Sequence, residues 1–490
     1  MTVYGIGRSA SKKVTVWHIR IHLEKPFKSV WREPALILLY NPVMKTRFKR
    51  LWLISAAIFL LIGFYYFPPV HSRLAWRLDN VVVQVKHFFN PPEEVVFQPS
   101  GTSPLTIETV NMTTRAEYQL TLTPPTLLAT STLKPGPTAR PTITSTPLPA
   151  SVILKGVKYV DQHNRWNYCG PANLTMALNF WGWKGTRDDV AKVIKPGEDD
   201  PKKDFIERGK IDKNVMPYEM VDFVNDTTDL SAVYRSGGNI TLIKSFISAG
   251  YPPIVEKGYY ERDSNGSVSW MGHYQFVTGY DDTTKKFTVQ DTYNDGPNFK
   301  ISYDDFVEGW RDFNYLFMVV YPSDSEEKIR NLLGPWSDDQ WANQHALDIA
   351  NEEIGTLSGV SAYFAWFNKG TSHVQLQQYA DAATAYDRAF SIYPTFDIVK
   401  RPSRMMWYQT GPYKAYYYSG RYADVINLAK ITLDSVSGGP YLEESLYWRG
   451  MAYYMAGQTE LAIDDYRAAL KVHPKWIPAT QALQDLGFQP

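Results

Sequence analysis

A stretch rich in threonine and proline divides this chain of 490 residues into two parts. Residues 98–150 contain 14 threonines and 9 prolines, so two residue types supply 23 of the 53 positions. Such a segment has too little apolar surface to bury and favours extended, polyproline-like backbone. We therefore predict a disordered stalk over 98–150, with any folded core lying on either side of it.

The part before the stalk contains an uncharged apolar run, residues 51–67. Its 17 residues lie at the short end of the range that crosses a bilayer. Five Lys/Arg occur in the 20 residues before the run and three in the 20 after it, so the positive-inside rule predicts a cytoplasmic N-terminus. We predict a single-pass protein of a cell membrane, with 1–50 inside, 68–97 as a juxtamembrane segment and the rest outside. The alternative is a buried core helix.

Charge and cysteine content narrow the classes of function. Lys plus Arg number 51 and Asp plus Glu 50, a net charge of +1, so we expect no nucleic-acid partner. The single cysteine, Cys169, cannot form an internal disulfide or a cysteine-rich metal site. The nine histidines show no H-E-x-x-H or similar spacing, and no phosphate-binding loop motif occurs. We therefore expect no metal and no cofactor.

Residues 151–322 have the pattern of an α+β domain. Apolar residues recur at helical spacing after Cys169, and a second helix is predicted over 241–249 because Gly250 and Pro252 follow it. Apolar, β-branched runs bounded by turn residues predict strands over 274–280, 286–291 and 315–321.

Residues 340–490 are predicted to be helical throughout and contain an internal repeat. Two units share small residues, tyrosines and a final proline: Gly370, Tyr379, Ala382, Tyr386, Ala389 and Pro394, then Gly450, Tyr453, Gly457, Ala462, Tyr466, Ala469 and Pro474. A middle unit with Tyr416, Gly420 and Tyr422 matches more loosely. The pattern resembles the tetratricopeptide repeat, which implies an all-α solenoid that binds a protein partner.

The sequence around Cys169 has the features of a nucleophile. Cys169 is followed by Gly170 and Pro171, and proline is favoured in the first turn of a helix. Cys169 is thus predicted at a helix N-terminus, where unpaired N–H groups and the macrodipole favour a thiolate. A structural cysteine is the competing interpretation.

A nucleophilic cysteine also needs a base, and the candidate is His273. Two predicted strands flank a turn near residues 281–284. A hairpin centred there places His273 nearly opposite Asp291, with both side chains on one face and Cβ atoms about 5 Å apart. The carboxylate would then orient the imidazole. A register error of one residue would put the pair on opposite faces.

Residues 162–183 and 272–291 resemble the papain-like family of bacteriocin-processing (double-glycine leader) cysteine peptidases, in its stand-alone, C39-like branch. Gln162, the Cys-Gly-Pro helix start, the Gly-His-aromatic strand start, the Gly-Tyr-Asp turn and Asp291 occur in the order typical of that family. The resemblance implies a papain-like fold with Cys169 as nucleophile, His273 as general base and acid, and Asp291 orienting the histidine.

By the same resemblance Gln162 would donate a hydrogen bond to the oxyanion. It lies seven residues before Cys169, one more than is usual in the family. A bulge could absorb the extra residue, or Asn164 or Asn167 could take the role. The backbone N–H of Cys169 is a second expected donor.

The sequence thus predicts a membrane-anchored, extracytoplasmic cysteine peptidase that hydrolyses peptide bonds and binds a protein partner through its repeats. An inactive peptide-binding scaffold with the same domains is one alternative. A transglutaminase-like acyl transferase using the same Cys-His-Asp order is another.

Overall fold

The computed structural model describes residues 52–53, 55–56, 95–101, 147–165, 167–197, 200–262, 268–436 and 441–490. The predicted membrane span, 51–67, lies outside the described residues except for 52–53 and 55–56, which are helical. Among the residues described, no helix combines the length and apolar character needed to cross a bilayer.

The chain alternates helices and strands up to Pro322 and is helical beyond it. The strands are β1 (Ser151–Ile153), β2 (Leu230–Arg235), β3 (Pro253–Arg262), β4 (Val268–Asp281), β5 (Lys286–Gln290), β6 (Phe299–Ser302) and β7 (Phe317–Pro322). The helices interspersed with them are α1 (Cys169–Phe180), α2 (Arg187–Ile194), α3 (Phe205–Arg208), α4 (Pro217–Thr227), α5 (Ile240–Ser248) and α6 (Tyr303–Arg311). The later helices are α7 (Glu326–Leu333), α8 (Asp339–Thr356), α9 (Gly359–Gln375), α10 (Tyr379–Ile392), α11 (Met405–Tyr408), α12 (Gly411–Tyr418), α13 (Tyr422–Asp434), α14 (Glu443–Met455), α15 (Thr459–Val472) and α16 (Ile477–Asp485).

The strands form one antiparallel sheet in the order β2-β7-β3-β4-β5-β6, with β1 beside the far end of β4. Alternate residues of the central strands face opposite layers, as a period of two requires. Ile254 and Phe276 pack with α1, α2 and α4, whereas Val255 and Val277 pack with α5 and α6. The predicted α+β architecture is therefore confirmed, and its sheet is covered on both faces.

The elements predicted in this part of the chain are present with shifted ends. The first helix begins at Cys169, and the second spans Ile240–Ser248 and is followed by Gly250 with a positive φ of 91°. The central strand, Val268–Asp281, is longer than predicted.

The later helices pack as antiparallel pairs, and each predicted repeat shows the same close contact. A Cβ atom added to Gly370 would lie 2.6 Å from the ring of Tyr386, and one added to Gly450 would lie 2.7 Å from the ring of Tyr466. The glycine of one helix thus accommodates the buried tyrosine of its partner, so the repeat is confirmed as a packing unit.

Both ends of the predicted stalk are held by the folded part of the chain. Ser100 donates through N and Oγ to the two carboxylate oxygens of Asp424, each at 2.9 Å. Phe97, 5% exposed, packs edge-on against Phe390 in the core of the repeat region. At the other end, Tyr280 donates to the carbonyl of Pro149 at 2.7 Å. Ser100 and Pro149, which lie inside the predicted stalk, thus contact folded residues; residues 102–146 lie outside the described ranges.

Candidate active site

Cys169 is the first residue of α1, as predicted. Gly170 lies against Val215, since an added Cβ would be 3.0 Å from a methyl group of that valine. One turn along the helix, the buried amide of Asn173 donates to the carbonyls of Cys169 (2.9 Å) and Tyr274 (2.8 Å). Asn173 therefore ties the start of α1 to β4 at the residue after His273.

The register of β4 and β5 differs from the prediction. Val277 pairs with Val289, so Gln275 rather than His273 lies opposite Asp291. The prediction that His273 lies nearly opposite Asp291 is therefore off by two residues along β4. Since side chains two residues apart point to the same face, His273 still reaches Asp291 diagonally.

A β-bulge between Val277 and Gly279 keeps the two residues on one face. If the pairing of residues 279–281 with 286–288 continued along the strands without the bulge, His273 and Asp291 would lie on opposite faces of the sheet. The extra residue is Thr278, whose carbonyl accepts a hydrogen bond from the N–H of Leu154, just after β1, at 2.9 Å.

The imidazole of His273 lies between a sulfur and a carboxylate. Its Nε2 is 3.3 Å from Asp291 Oδ2, and the ring lies beside the side chain of Cys169, with which it interacts electrostatically. Because Nε2 faces the carboxylate, Nδ1 is the nitrogen available to the sulfur. His273 is 3% exposed and Asp291 5%, so water screens these two groups little, whereas Cys169 is partly exposed in the cleft.

The buried charges stabilise one another. Burial alone lowers the pKa of His273, but the Asp291 carboxylate and the Cys169 sulfur outweigh it and raise the pKa to about 10. Burial raises the pKa of Cys169, yet the histidine and backbone N–H groups lower it overall. Burial likewise opposes ionisation of Asp291, but the imidazolium and hydrogen bonds from Gln275 and Tyr293 hold the pKa of Asp291 below its usual value. The site favours a thiolate–imidazolium pair.

Gln162 lines the same cleft as Cys169 and His273. Thr292 donates through Oγ1 to Gln162 Oε1 at 3.0 Å. Among the residues that the structure describes, none accepts a hydrogen bond from the amide NH₂ of Gln162. The extra residue before Cys169 is accommodated in a turn where Asn164 and Asn167 have positive φ values of 61° and 53°. Asn167 also lines the cleft, whereas Asn164 is exposed.

One wall of the cleft comes from the repeat region. Tyr408 lies against Gly272, where an added Cβ would be 2.9 Å from its ring. Arg404 and Tyr408 line the cleft together with Tyr259 and Met271 of the sheet. Gly272, next to His273, is thus needed for this close approach.

Three supporting residues were not predicted from the sequence: Asn173, Gln275 and Thr292. Gln275 donates to Asp291 Oδ2 at 2.8 Å, so it helps hold the carboxylate against the histidine. A signal was available for each, because each is a polar residue one, two or four positions from a predicted site residue.

The comparisons with known proteins agree with the predicted family. Residues 154–318 match the family model described as Peptidase_C39 like, and residues 363–396 and 443–476 match the tetratricopeptide-repeat model. The predicted resemblance is therefore confirmed: the sheet-bearing region matches the C39-like peptidase model, and the helical region after it matches the tetratricopeptide repeat. No curated protein matched the chain.

Three solved structures are similar to this chain. A protein from Bacillus anthracis described as a C39-like peptidase is 18% identical, with a TM-score of 0.27, over 35% of this chain and 96% of its own. The peptidase domain of ComA from Streptococcus, described as a bifunctional ABC transporter, is 14% identical (TM-score 0.23; 35% and 98%). Xylellain, a cysteine protease from Xylella fastidiosa, is 16% identical (TM-score 0.24; 36% and 87%).

Proposed function

We propose that this chain is a cysteine peptidase that hydrolyses peptide bonds through Cys169, His273 and Asp291. The observation that carries the proposal is the buried imidazole held between a sulfur and a carboxylate. A structural cysteine has no need of a histidine with a raised pKa or of a carboxylate behind that histidine.

The proposed reaction has two steps. The Cys169 thiolate attacks the amide carbonyl, and the protonated His273 gives its proton to the departing amine, which leaves a thioester on the sulfur. His273 then takes a proton from water as the water attacks the thioester; the C–S bond breaks, the carboxylic acid leaves, and the Cys169 thiolate and protonated His273 are restored. Asp291 orients the imidazole and stabilises its charged form.

Gln162 and the backbone N–H of Cys169 are the proposed oxyanion donors. Both the bond from Thr292 to Gln162 Oε1 and the position of Gln162 in the cleft support this role. Removal of one such donor costs about 10²–10³ in rate in other hydrolases.

The substrate in this proposal is a peptide or protein, and the repeats bind a protein partner. Arg404 and Tyr408 of the repeat region line the cleft. Their position supports the proposal that the repeat region influences which substrate binds there. Anchoring by 51–67, with the catalytic and repeat regions outside the cytoplasm, is part of the same proposal and is supported by the apolar run and the charge difference around it.

The test is alkylation of the full chain in detergent with iodoacetamide, followed by peptide mass analysis. We expect Cys169 to react at pH 7 faster than in the denatured chain, and His273→Ala to abolish the difference. Equal rates in native, denatured and His273→Ala protein would refute the enzymatic proposal.

A peptide library then separates the alternatives. Hydrolysis that Cys169→Ala abolishes supports the peptidase. Binding of the same peptides by wild type and Cys169→Ala without hydrolysis would favour a scaffold, and incorporation of an added amine would favour an acyl transferase.

A further inference from the structure

A second group of titratable side chains lies away from the Cys169 cleft, where the peptidase domain meets the last repeat. It comprises Asp212 after α3, Glu219 in α4, Glu443 and Glu444 in the first turn of α14, and His473 after α15. Asp212 and Glu443 are each 1% exposed. Since Asp and Glu are seldom fully buried without a partner, this cluster requires an explanation.

The described residues leave these side chains short of hydrogen bonds. Five buried atoms have no hydrogen-bond partner there: Asp212 Oδ2, Glu219 Oε1, Glu443 Oε2, Glu444 Oε2 and His473 Nδ1. Most buried polar atoms in proteins are paired, so five unpaired ligand atoms at one place indicate a missing partner.

The charge balance indicates that this partner is a cation. Lys195 is the ammonium buried in the cluster, with Nζ 3.4 Å from Asp212 Oδ1. Lys213 and Lys414 are nearer the surface. Four carboxylates against one ammonium leave three negative charges when all are ionised.

The geometry suits a metal ion with nitrogen and oxygen ligands. One ligand atom each from Asp212, Glu443 and His473 lies within 4.8 Å of the others. His473 Nδ1 is 3.6 Å from Glu219 Oε1 and 3.9 Å from Glu443 Oε1. Ligand atoms of a tetrahedral zinc site are about 3.3 Å apart, given metal–ligand distances of about 2.0 Å. Side-chain rotations that shorten the separations between these atoms by up to about 1.5 Å would therefore complete the site.

We propose that Asp212, Glu443 and His473 bind a divalent transition-metal ion, with Glu219 as the fourth ligand and zinc as the best match. An imidazole among the ligands favours zinc over calcium, which prefers oxygen ligands only. A cavity lined by Glu219, Glu444 and His473 provides a route for the ion.

The ion would join two regions of the chain. Asp212 and Glu219 belong to the peptidase domain, whereas Glu443 and His473 belong to the last repeat. Residues 213–215, directly after Asp212, line the Cys169 cleft. Metal binding would therefore fix one wall of the cleft while holding the repeat against it.

The test measures metal content and thermal unfolding of the full chain in detergent, stripped with chelator and dialysed against zinc, manganese or calcium chloride. We expect about one zinc per chain and a rise in Tm with zinc. Glu443→Gln and His473→Gln should lose both effects, while the exposed control Glu460→Gln on the same helix pair should keep both.

Glu443→Gln also distinguishes a lost ligand from misfolding. Because it removes one of the crowded negative charges, this variant should have a metal-free Tm equal to or above that of wild type while losing the response to zinc. The proposal fails if wild type binds no zinc, if Glu443→Gln binds it as well as Glu460→Gln does, or if calcium raises Tm and zinc does not.

Discussion

Replacing Asp291 with asparagine is predicted to slow the reaction of Cys169 with iodoacetamide at pH 7 by at least about tenfold. The change preserves side-chain size but removes the negative charge 3.3 Å from His273 Nε2. Its matched control is Asp295→Asn, which removes an exposed carboxylate from the same loop.

The magnitude follows from the histidine. A rise in the pKa of His273 from 6.5 to about 10 corresponds to about 5 kcal/mol in favour of the imidazolium form. The carboxylate and the sulfur share that stabilisation, so loss of the carboxylate removes about 2–3 kcal/mol, or about 50-fold in the ratio of ion pair to neutral pair. Where the ion pair is in large excess, a fall in the ratio of ion pair to neutral pair reduces the thiolate population by a smaller factor. The predicted fall in alkylation rate is therefore given as a lower bound of about tenfold.

The assay is the alkylation rate between pH 4 and 10, with circular dichroism as a check that the variant is folded. Asp291→Asn should shift the rate profile to higher pH, because the thiolate loses its stabilised imidazolium. Asp295→Asn should leave the profile in place, since an exposed charge is screened by water and salt.

The dependence of Tm on pH provides a second measurement for the Asp291→Asn variant. With its pKa raised in the folded state, His273 contributes stability that is fully present below about pH 6.5 and is lost as the pH rises toward 10. Asp291→Asn should reduce this loss of Tm with rising pH. If the variant alkylates like wild type and keeps the same slope of Tm with pH, the thiolate–imidazolium pair does not depend on Asp291 and our reasoning is refuted.

Three further predictions concern packing and the oxyanion donor. Gly450→Ala should lower the free energy of unfolding by about 1–3 kcal/mol in urea titrations, because its Cβ would lie 2.7 Å from a buried tyrosine ring; Gly355→Ala, with open space around it, should not. Phe97→Ala should cost about 3 kcal/mol by the same measurement, whereas Val95→Ala, at a 68% exposed position, should be neutral. Gln162→Ala should slow hydrolysis of a peptidyl ester about 10²-fold yet leave alkylation unchanged, because alkylation forms no oxyanion; equal effects on both reactions would contradict the assigned role.

Local chemistry made part of this structure predictable from the sequence. A proline in the first turn places the start of α1 at Cys169 irrespective of what packs around it. The repeat was predictable for a similar reason. Within one helix pair, a small residue on the first helix makes room for a large side chain on the second, and both residues are close in sequence. Gly370 and Tyr386 meet as that pattern implies.

The approach of His273 to Asp291 was predictable only in part. The alternation of apolar residues predicted the two strands and the turn, but the bulge at Thr278 depends on β1 binding alongside β4. An added Cβ at Gly279 would lie 2.7 Å from the carbonyl of Val152, so that contact is made by a segment more than 100 residues earlier in the chain.

The sequence by itself determined which residues could do chemistry here and which short segments would be helix or strand, because those choices depend on neighbours a few positions apart. Only the tertiary structure decided which of those residues meet. It set the register through a bulge, built a cleft wall with Tyr408, and gathered Asp212, Glu443 and His473 from distant parts of the chain. The physical reason is that burial and charge repulsion depend on how helices and strands pack against one another. The spacing of residues in the sequence does not determine which distant elements pack together.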